Sequence, residues 1–227
     1  NAKSIFMLDG LNLNPRTHYG YTAQLESPLL GDIKRLEVIR GPGAIRHGSG
    51  AINGFVNLIP KNGTDNPGGF VNFEFGGREN VYRAETGYGK TLGRKKDLFV
   101  YAGVFDAQGF LGDYTALGYD TDPGRVIDPD TVVHGQGRPG MRFSACLNHG
   151  NLNWITYFQE TNPATNSDAY SRAQYWHTAA LGTRPRFTFD LSPFDTLEAS
   201  AVLSFMEHGR ENMPDAWSTR EGGSSEM

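Results

Sequence analysis

The chain has 227 residues, with 29 Gly, 14 Phe and 10 Tyr beside only 38% hydrophobic residues, and a formal net charge of −4. Its pI is near 5.9 and its mean hydropathy −0.47. No cationic stripe stands out, which excludes a general nucleic-acid binder, and no apolar run approaches the roughly 20 residues a membrane-crossing helix needs. A polar chain rich in glycine and aromatics reads as all-β. A transmembrane barrel remains open, because strands of about 9–11 residues that alternate lipid- and lumen-facing side chains keep the mean hydropathy near that of a soluble protein. The single cysteine, Cys146, allows no internal disulfide. The opening "NAKSIF" has neither Met, a basic segment nor a long apolar core, so the expectation is a mature chain or an internal piece of a longer one.

In chain order, "FMLDGLNLN" comes first, followed by the polar loop "NPRTHYGYTAQLESP". Residues 34–61, "KRLEVIRGPGAIRHGSGAINGFVNLIPK", open as a strand, break into glycines and close as a second apolar strand. Gly43 and Gly48 have the interval of a phosphate-binding loop, but Ser49 and Gly50 stand where its lysine and hydroxyl belong, and no helical pattern follows. A nucleotide site is excluded on that ground.

From about residue 69 the chain alternates with period 2. Val71, Phe73 and Phe75 oppose Asn72 and Glu74; Tyr82, Ala84, Thr86 and Tyr88 oppose Arg83 and Glu85; Met141, Phe143, Ala145 and Leu147 oppose Arg142, Ser144, Cys146 and Asn148. Residues 97–105, "DLFVYAGVF", are apolar on both faces, so pattern predicts a strand without saying which side faces in. In the long run 175–191, Leu181, Phe187 and Phe189 oppose Thr178, Arg184 and Arg186; after the tight turn "SPFD", Leu197, Leu203 and Phe205 oppose Glu198 and Ser204. Long connections, about 107–138 and 161–174, alternate with the short "NHGN" and "SPFD", with "GGREN" the exception. A soluble sandwich shares this alternation. Strands of 13 or more residues on four-residue turns, with Tyr175, Trp176, Phe187, Phe189 and Phe205 near strand ends, fit a barrel wall better. About seven such strands cannot close alone, since open edges in lipid strand backbone groups at several kcal/mol each, so further strands from elsewhere are expected.

The stretch from Leu8, Asp9 and Gly10, through Arg35 to Pro42 with Glu37, Arg40 and Gly41, to Gly43, Gly48, Gly54 and Asn57, resembles the plug domain of TonB-dependent outer-membrane receptors. The resemblance covers residues 5–61; His47 before Gly48 and Pro60 depart from it. It implies an all-β membrane fold: a small mixed α/β plug (its C-terminal part at residues 1–66), then residues 67–227 as the first seven or so strands of an antiparallel barrel of about 22. It further implies active uptake of a scarce nutrient, such as a siderophore–iron complex or cobalamin, through the bacterial outer membrane, driven by TonB acting on a segment that would precede Asn1. By the same resemblance, Glu37 and Arg40 would pair with barrel side chains.

Ligand contact is expected at Arg16, His18, Tyr19 and Tyr21, which put a cation, an imidazole and two phenols within six residues. Asp113, Asp120, Asp122, Asp128 and Asp130 offer oxygens that Ca²⁺ could use, without EF-hand spacing. The six His lack metal spacing and no nucleophile is matched to a base, so neither a cofactor nor an enzyme is expected. The rival readings are a soluble or surface β-domain used for adhesion and a passive porin-like channel.

Overall fold

The computed structural model describes residues 4–13, 28–41, 54–76, 81–107, 110–112, 132–136, 138–165 and 174–212. They form two sheets, one small and mixed, one long and antiparallel.

The small sheet is built from β1 (Ser4–Leu8), β2 (Leu11–Asn12), β3 (Ile33–Arg40) and β4 (Gly54–Pro60), in the order β2-β1-β4-β3. β1 and β2 are joined by Asp9 and Gly10, at φ 45° and 84°, the two left-handed positions of a type I′ hairpin turn. That is the physical content of the Leu-Asp-Gly signature: Asp tolerates the first position and Gly fits the second. β1 runs parallel to β4, and β3 antiparallel to it, so the sheet is mixed. Gly54 opens β4 at φ 135°, and a Cβ there would lie 2.2 Å from the Ile39 carbonyl oxygen. Only glycine lets β3 and β4 begin their pairing at that point. The described part of this domain is strand and turn, so a helical component of the expected α/β plug falls on none of these residues.

The long sheet begins with β5 (Gly68–Gly76), β6 (Val81–Gly93) and β7 (Lys96–Ala107), and β7 is followed by the short β8 (Phe110–Gly112). Next come β9 (Val132–Gln136), β10 (Gly140–His149), β11 (Leu152–Thr161) and the short β12 (Pro163–Thr165). β13 (Gln174–Asp190), β14 (Thr196–Ser200) and β15 (Leu203–Asn212) complete it. The ladder runs β5-β6-β7-β10-β11-β13, with β14 and β15 both on β13. β8 pairs with β9 and β9 with β12, so the ladder continues into residues 110–112 and 132–136, where the sequence predicts only loop. Those pieces are too short for alternation to show. β14 and β15 are one strand in register, interrupted at Ala201 and Val202 opposite Pro185, which has no N–H to donate. Among the described residues, seven strands therefore cross the wall once such pieces are joined, and β5 and β14/β15 are its open edges.

Tight turns at residues 94–95, 150–151 and 191–195 lie at one end of the wall. Lys95 and Gly150 take the left-handed φ these turns need, at 56° and 62°, and Asp195 closes the third with its carboxylate on the Ser192 hydroxyl at 2.8 Å. The strand ends joined by the longer connections, and by the short one at 77–80, lie at the other end.

One face of the wall is apolar and uncovered: Phe73 is 81% exposed, Leu203 74% and Leu181 49%. A sandwich would have buried these rings and branches against a second sheet. The opposite face packs on the small sheet, where Leu8, Leu11 and Leu13 meet Phe99, Tyr101, Cys146, Ile155, Tyr157 and Ala180. Phe99 and Tyr101 thus point inward and Val104 outward, which settles the strand that pattern left open.

Candidate functional site: the plug–wall interface

The small sheet is held to the wall at three places, each built from a turn on one side and wall side chains on the other. At the first, the Asp9 carboxylate in the β1–β2 turn pairs with Arg184 of β13 and lies 3.5 Å from Arg186 Nη2. Backbone bonds fix that turn from behind: Asp9 N–H donates to the Leu58 carbonyl at 2.8 Å and Gly10 N–H to Asn57 Oδ1 at 3.0 Å. The Arg184 guanidinium lies over Gly10, with Nη1 3.1 Å from where a Cβ would stand.

The second place is the turn before β3. Gly31 N–H donates to Glu85 Oε1 at 3.0 Å, which also accepts from the Tyr101 hydroxyl at 2.6 Å. Next to it Asp32, wholly buried, accepts on Oδ2 from Arg142 Nε and Nη2 at 3.0 and 2.9 Å and from the Ser144 hydroxyl at 2.7 Å. Arg142 reaches Gln159 Oε1 at 2.7 Å with its remaining nitrogen. Such a pair offsets its desolvation only through this geometry, and losing either partner strands a buried charge. Arg83 adds a bond from Nη1 to the Pro28 carbonyl at 3.1 Å.

The third place is the turn between the sheets. Gly63 N–H and the Thr64 hydroxyl donate to Asp97 at 2.9 and 3.1 Å, and Asn148 Nδ2 donates to the same carboxylate at 3.1 Å. The turn lies on bare backbone: a Cβ on Gly63 would be 2.3 Å from the Leu98 carbonyl oxygen, and one on Gly89 would be 1.9 Å from that of Asn66.

The arrangement has a sign rule. Wall arginines take plug aspartates, and wall carboxylates take plug backbone N–H groups at glycine turns, although Asp32 Oδ1 and Arg184 Nε are buried without a hydrogen-bond partner of their own.

Of the plug-motif residues, Asp9, Gly10 and Asn57 come together in the first anchor. Glu37 bonds Arg35 Nη2 at 2.6 Å and Asn57 Nδ2 at 3.4 Å within the small sheet, and the Arg35 guanidinium holds its carboxyl below the usual carboxylate range. Arg40 and Gly41 stand at the exposed end of β3, Gly41 at φ 103°. In the wall strands of this chain the contacts to the plug are made by Asp9, Asp32, Gly31 and Gly63. Pro42, Gly43 and Gly48, the loop residues Arg16, His18, Tyr19 and Tyr21, and the acidic stretch 113–130 lie outside the described residues. Sequence reasoning placed Glu85, Arg142 and Arg184 on polar strand faces without giving them partners. It missed Asp32 and Asp97, whose one signal was an acid beside an apolar run.

Known proteins share this construction. A family model described as TonB-dependent Receptor Plug Domain matches residues 2–55. The Ferric enterobactin receptor PirA of Pseudomonas aeruginosa is 36% identical over 151 residues, covering 61% of this chain and 19% of that protein. The Probable TonB-dependent siderophore receptor PirA of Acinetobacter baumannii is 37% identical over 78 residues, 31% of this chain and 10% of that one. The chain thus spans a fifth or less of the length of these curated relatives. Among solved structures, the siderophore receptor PirA of P. aeruginosa superposes with a TM-score of 0.55 at 17% identity, covering 92% of this chain and 34% of that one. A mutant ferric enterobactin receptor, PfeA, of the same organism in complex with enterobactin gives 0.55 at 16%, covering 93% and 34%; at such identities the likeness is one of fold. Residues 2–55 thus match the plug domain of TonB-dependent receptors, and a small sheet seated on the inner face of a strand wall is a fold similar to that of solved siderophore receptors.

Proposed function

We propose that this chain is part of a receptor that takes up a siderophore–iron complex by TonB-dependent active transport. The observation that carries the reading is the stopper itself: a mixed sheet bonded through buried ion pairs to the inner face of a wall whose other face is bare and apolar. A passive pore has no use for a plug so held, and an adhesin has none for a lumen. The curated relatives are named as siderophore receptors, one for ferric enterobactin, which favours an anionic catecholate complex as the ligand class. Arg16, His18, Tyr19 and Tyr21 supply chemistry suited to it, a cation for the charge and rings for stacking. TonB is the partner we assign, and transport rather than catalysis the activity.

The test is uptake of radiolabelled ferric enterobactin by cells carrying the full receptor as their sole siderophore receptor. Energised cells should accumulate the iron, and cells lacking TonB or treated with a proton uncoupler should only bind it at the surface. Accumulation unaffected by either treatment would make the protein a passive channel; neither binding nor accumulation would remove the ligand class.

A further inference from the structure

The β6–β7 connection carries the densest run of positive charge in the chain. Lys90, Arg94, Lys95 and Lys96 fall within seven residues, although the net charge is −4 overall. All four are exposed, and among the described residues none of their side chains has an ion pair or a hydrogen bond. The neighbouring acid does not offset them. Asp97 points inward and holds Gly63 N–H at 2.9 Å and the Thr64 hydroxyl at 3.1 Å, so the alternation of β7 sends the acid to the plug and Lys96 to the outer face. The platform is fixed as well as charged. Lys95 takes a left-handed φ of 56°, and its carbonyl accepts from Gly150 N–H at 2.8 Å, which ties this turn to the next and sets His149 opposite Lys96.

Two observations say what meets this rim. Tyr88, Trp154, Phe187 and Phe189 stand exposed on the outer face just beyond it, and the Trp154 ring is held there by a bond from Nε1 to Thr183 Oγ1 at 2.7 Å. Amphipathic rings in that position mark the level where acyl chains give way to headgroups. Outward-facing charge is also sorted by sign along the strands. Among the described residues, Lys90 and Lys96 stand toward the tight-turn end, and Asp106, Glu160 and Glu207 toward the other.

We propose that this rim binds an anionic glycerophospholipid of the leaflet facing the periplasm. The phosphodiester sits among Lys90, Arg94, Lys95 and Lys96, and the acyl chains lie along Tyr88 and Leu98, the outward neighbours of Lys90. Tight turns of such a wall face the periplasm, which fixes the leaflet. Lysine stems run over apolar strand surface while their ammonium groups reach phosphate level, and the Arg94 guanidinium offers a phosphate two parallel N–H donors. Each cation near a membrane surface strengthens the attraction to anionic lipid. The inference rests on the receptor reading above, which puts the wall in an outer membrane, and goes beyond it, since neither uptake nor a plug calls for a charged rim.

The test uses the full receptor in vesicles, with Cys146→Ala and a bimane fluorophore on His149→Cys, beside the rim but outside the four cations. Quenching is compared for phosphatidylglycerol and phosphatidylethanolamine, each carrying a nitroxide near the headgroup end of one acyl chain. Phosphatidylglycerol should quench with several-fold higher apparent affinity, and the preference should shrink as salt rises. Lys90→Gln, Arg94→Gln, Lys95→Asn and Lys96→Gln together should bring the two lipids level, while membrane insertion and ferric enterobactin binding stay as in the parent. Asparagine is chosen at 95 because it tolerates the left-handed φ. Arg94→Gln alone should lower the preference without abolishing it. Equal quenching by the two lipids in the parent, or a preference that survives the four substitutions, overturns the proposal. So does loss of the preference on adding inorganic phosphate at constant ionic strength, which would make the rim a site for the free anion. Quenching by neither lipid would put this end of the wall outside any bilayer and remove the receptor reading with it.

Discussion

β7 and β3 are both rich in branched and aromatic side chains, yet β7 buries Phe99 and Tyr101 to 1% exposure while β3 leaves Leu36 and Val38 at 59% and 61%. The difference lies in what stands behind each strand. β7 is inside the wall ladder, between β6 and β10, and its inner face is covered by the plug's Leu8, Leu11 and Leu13. Among the described residues, β3 is the outer strand of the small sheet and pairs on one side only, with β4. The seven strands of this chain cover β7 and do not reach β3, so the burial of each strand follows from the neighbours this chain supplies rather than from composition.

The sharpest break in that comparison is at Gly54, where the sheet depends on a missing side chain. Gly54→Val would set its Cβ 2.2 Å from the Ile39 carbonyl oxygen at a left-handed φ and cost more than about 4 kcal/mol, the exceptional end of single substitutions. Limited proteolysis should then cut within residues 33–60 while the wall stays resistant, and an uncut plug would mean that the approach is not needed.

Next in size is the buried pair of Asp32 and Arg142. Asp32→Ala leaves Arg142 uncompensated and should destabilise the plug–wall contact by about 3–5 kcal/mol, read as a lower denaturant midpoint for plug release. The double variant Asp32→Leu, Arg142→Met should recover much of the loss, because it removes both charges rather than one. Equal midpoints for Asp32→Ala and the parent would show that Asp32 does not hold the plug to the wall.

On the outer face, Leu203→Arg should cost about 2–4 kcal/mol in lipid, since residue 203 is exposed near the middle of β14/β15. An unchanged unfolding midpoint in vesicles would reject that facing. The smallest effect is a gain. Pro185 accepts from Ala201 N–H at 3.2 Å but cannot return the bond, so Pro185→Val should add about 1 kcal/mol by completing the pair. A midpoint that stays level or falls would show that the break between Ser200 and Leu203 has another cause.

The wall was legible because its side chains obey a period of 2 and its two solvents differ: Met141 and Phe143 outward, Arg142 and Ser144 inward, read correctly from alternation alone. Legibility failed at β7 because the lumen there is filled by an apolar plug, so the inside of the wall is as hydrophobic as the outside. Turn chemistry made the plug readable. Asp9 and Gly10 encode a I′ hairpin and Gly54 a close approach, both local requirements written in the residues themselves. The anchors were not readable in the same way. Asp32 and Arg142 are 110 positions apart, and Asp9 and Arg184 are 175 apart. Nothing local marks which of several inward arginines an aspartate will meet, so the pairing of Asp9 and Asp32 with Arg184 and Arg142 could not be read from the sequence.

Everything above depends on the wall having hydrocarbon on one side and a folded plug on the other. Single nitroxide labels at residues 73, 99 and 203, each introduced through cysteine in a Cys146→Ala background of the full receptor in liposomes, test this directly by their collision rates with lipid-dissolved oxygen and with a water-soluble nickel chelate. The account predicts high oxygen and low nickel collision at 73 and 203, and protection from both at 99. Labels at 73 and 203 shielded from oxygen as strongly as the one at 99 would contradict it.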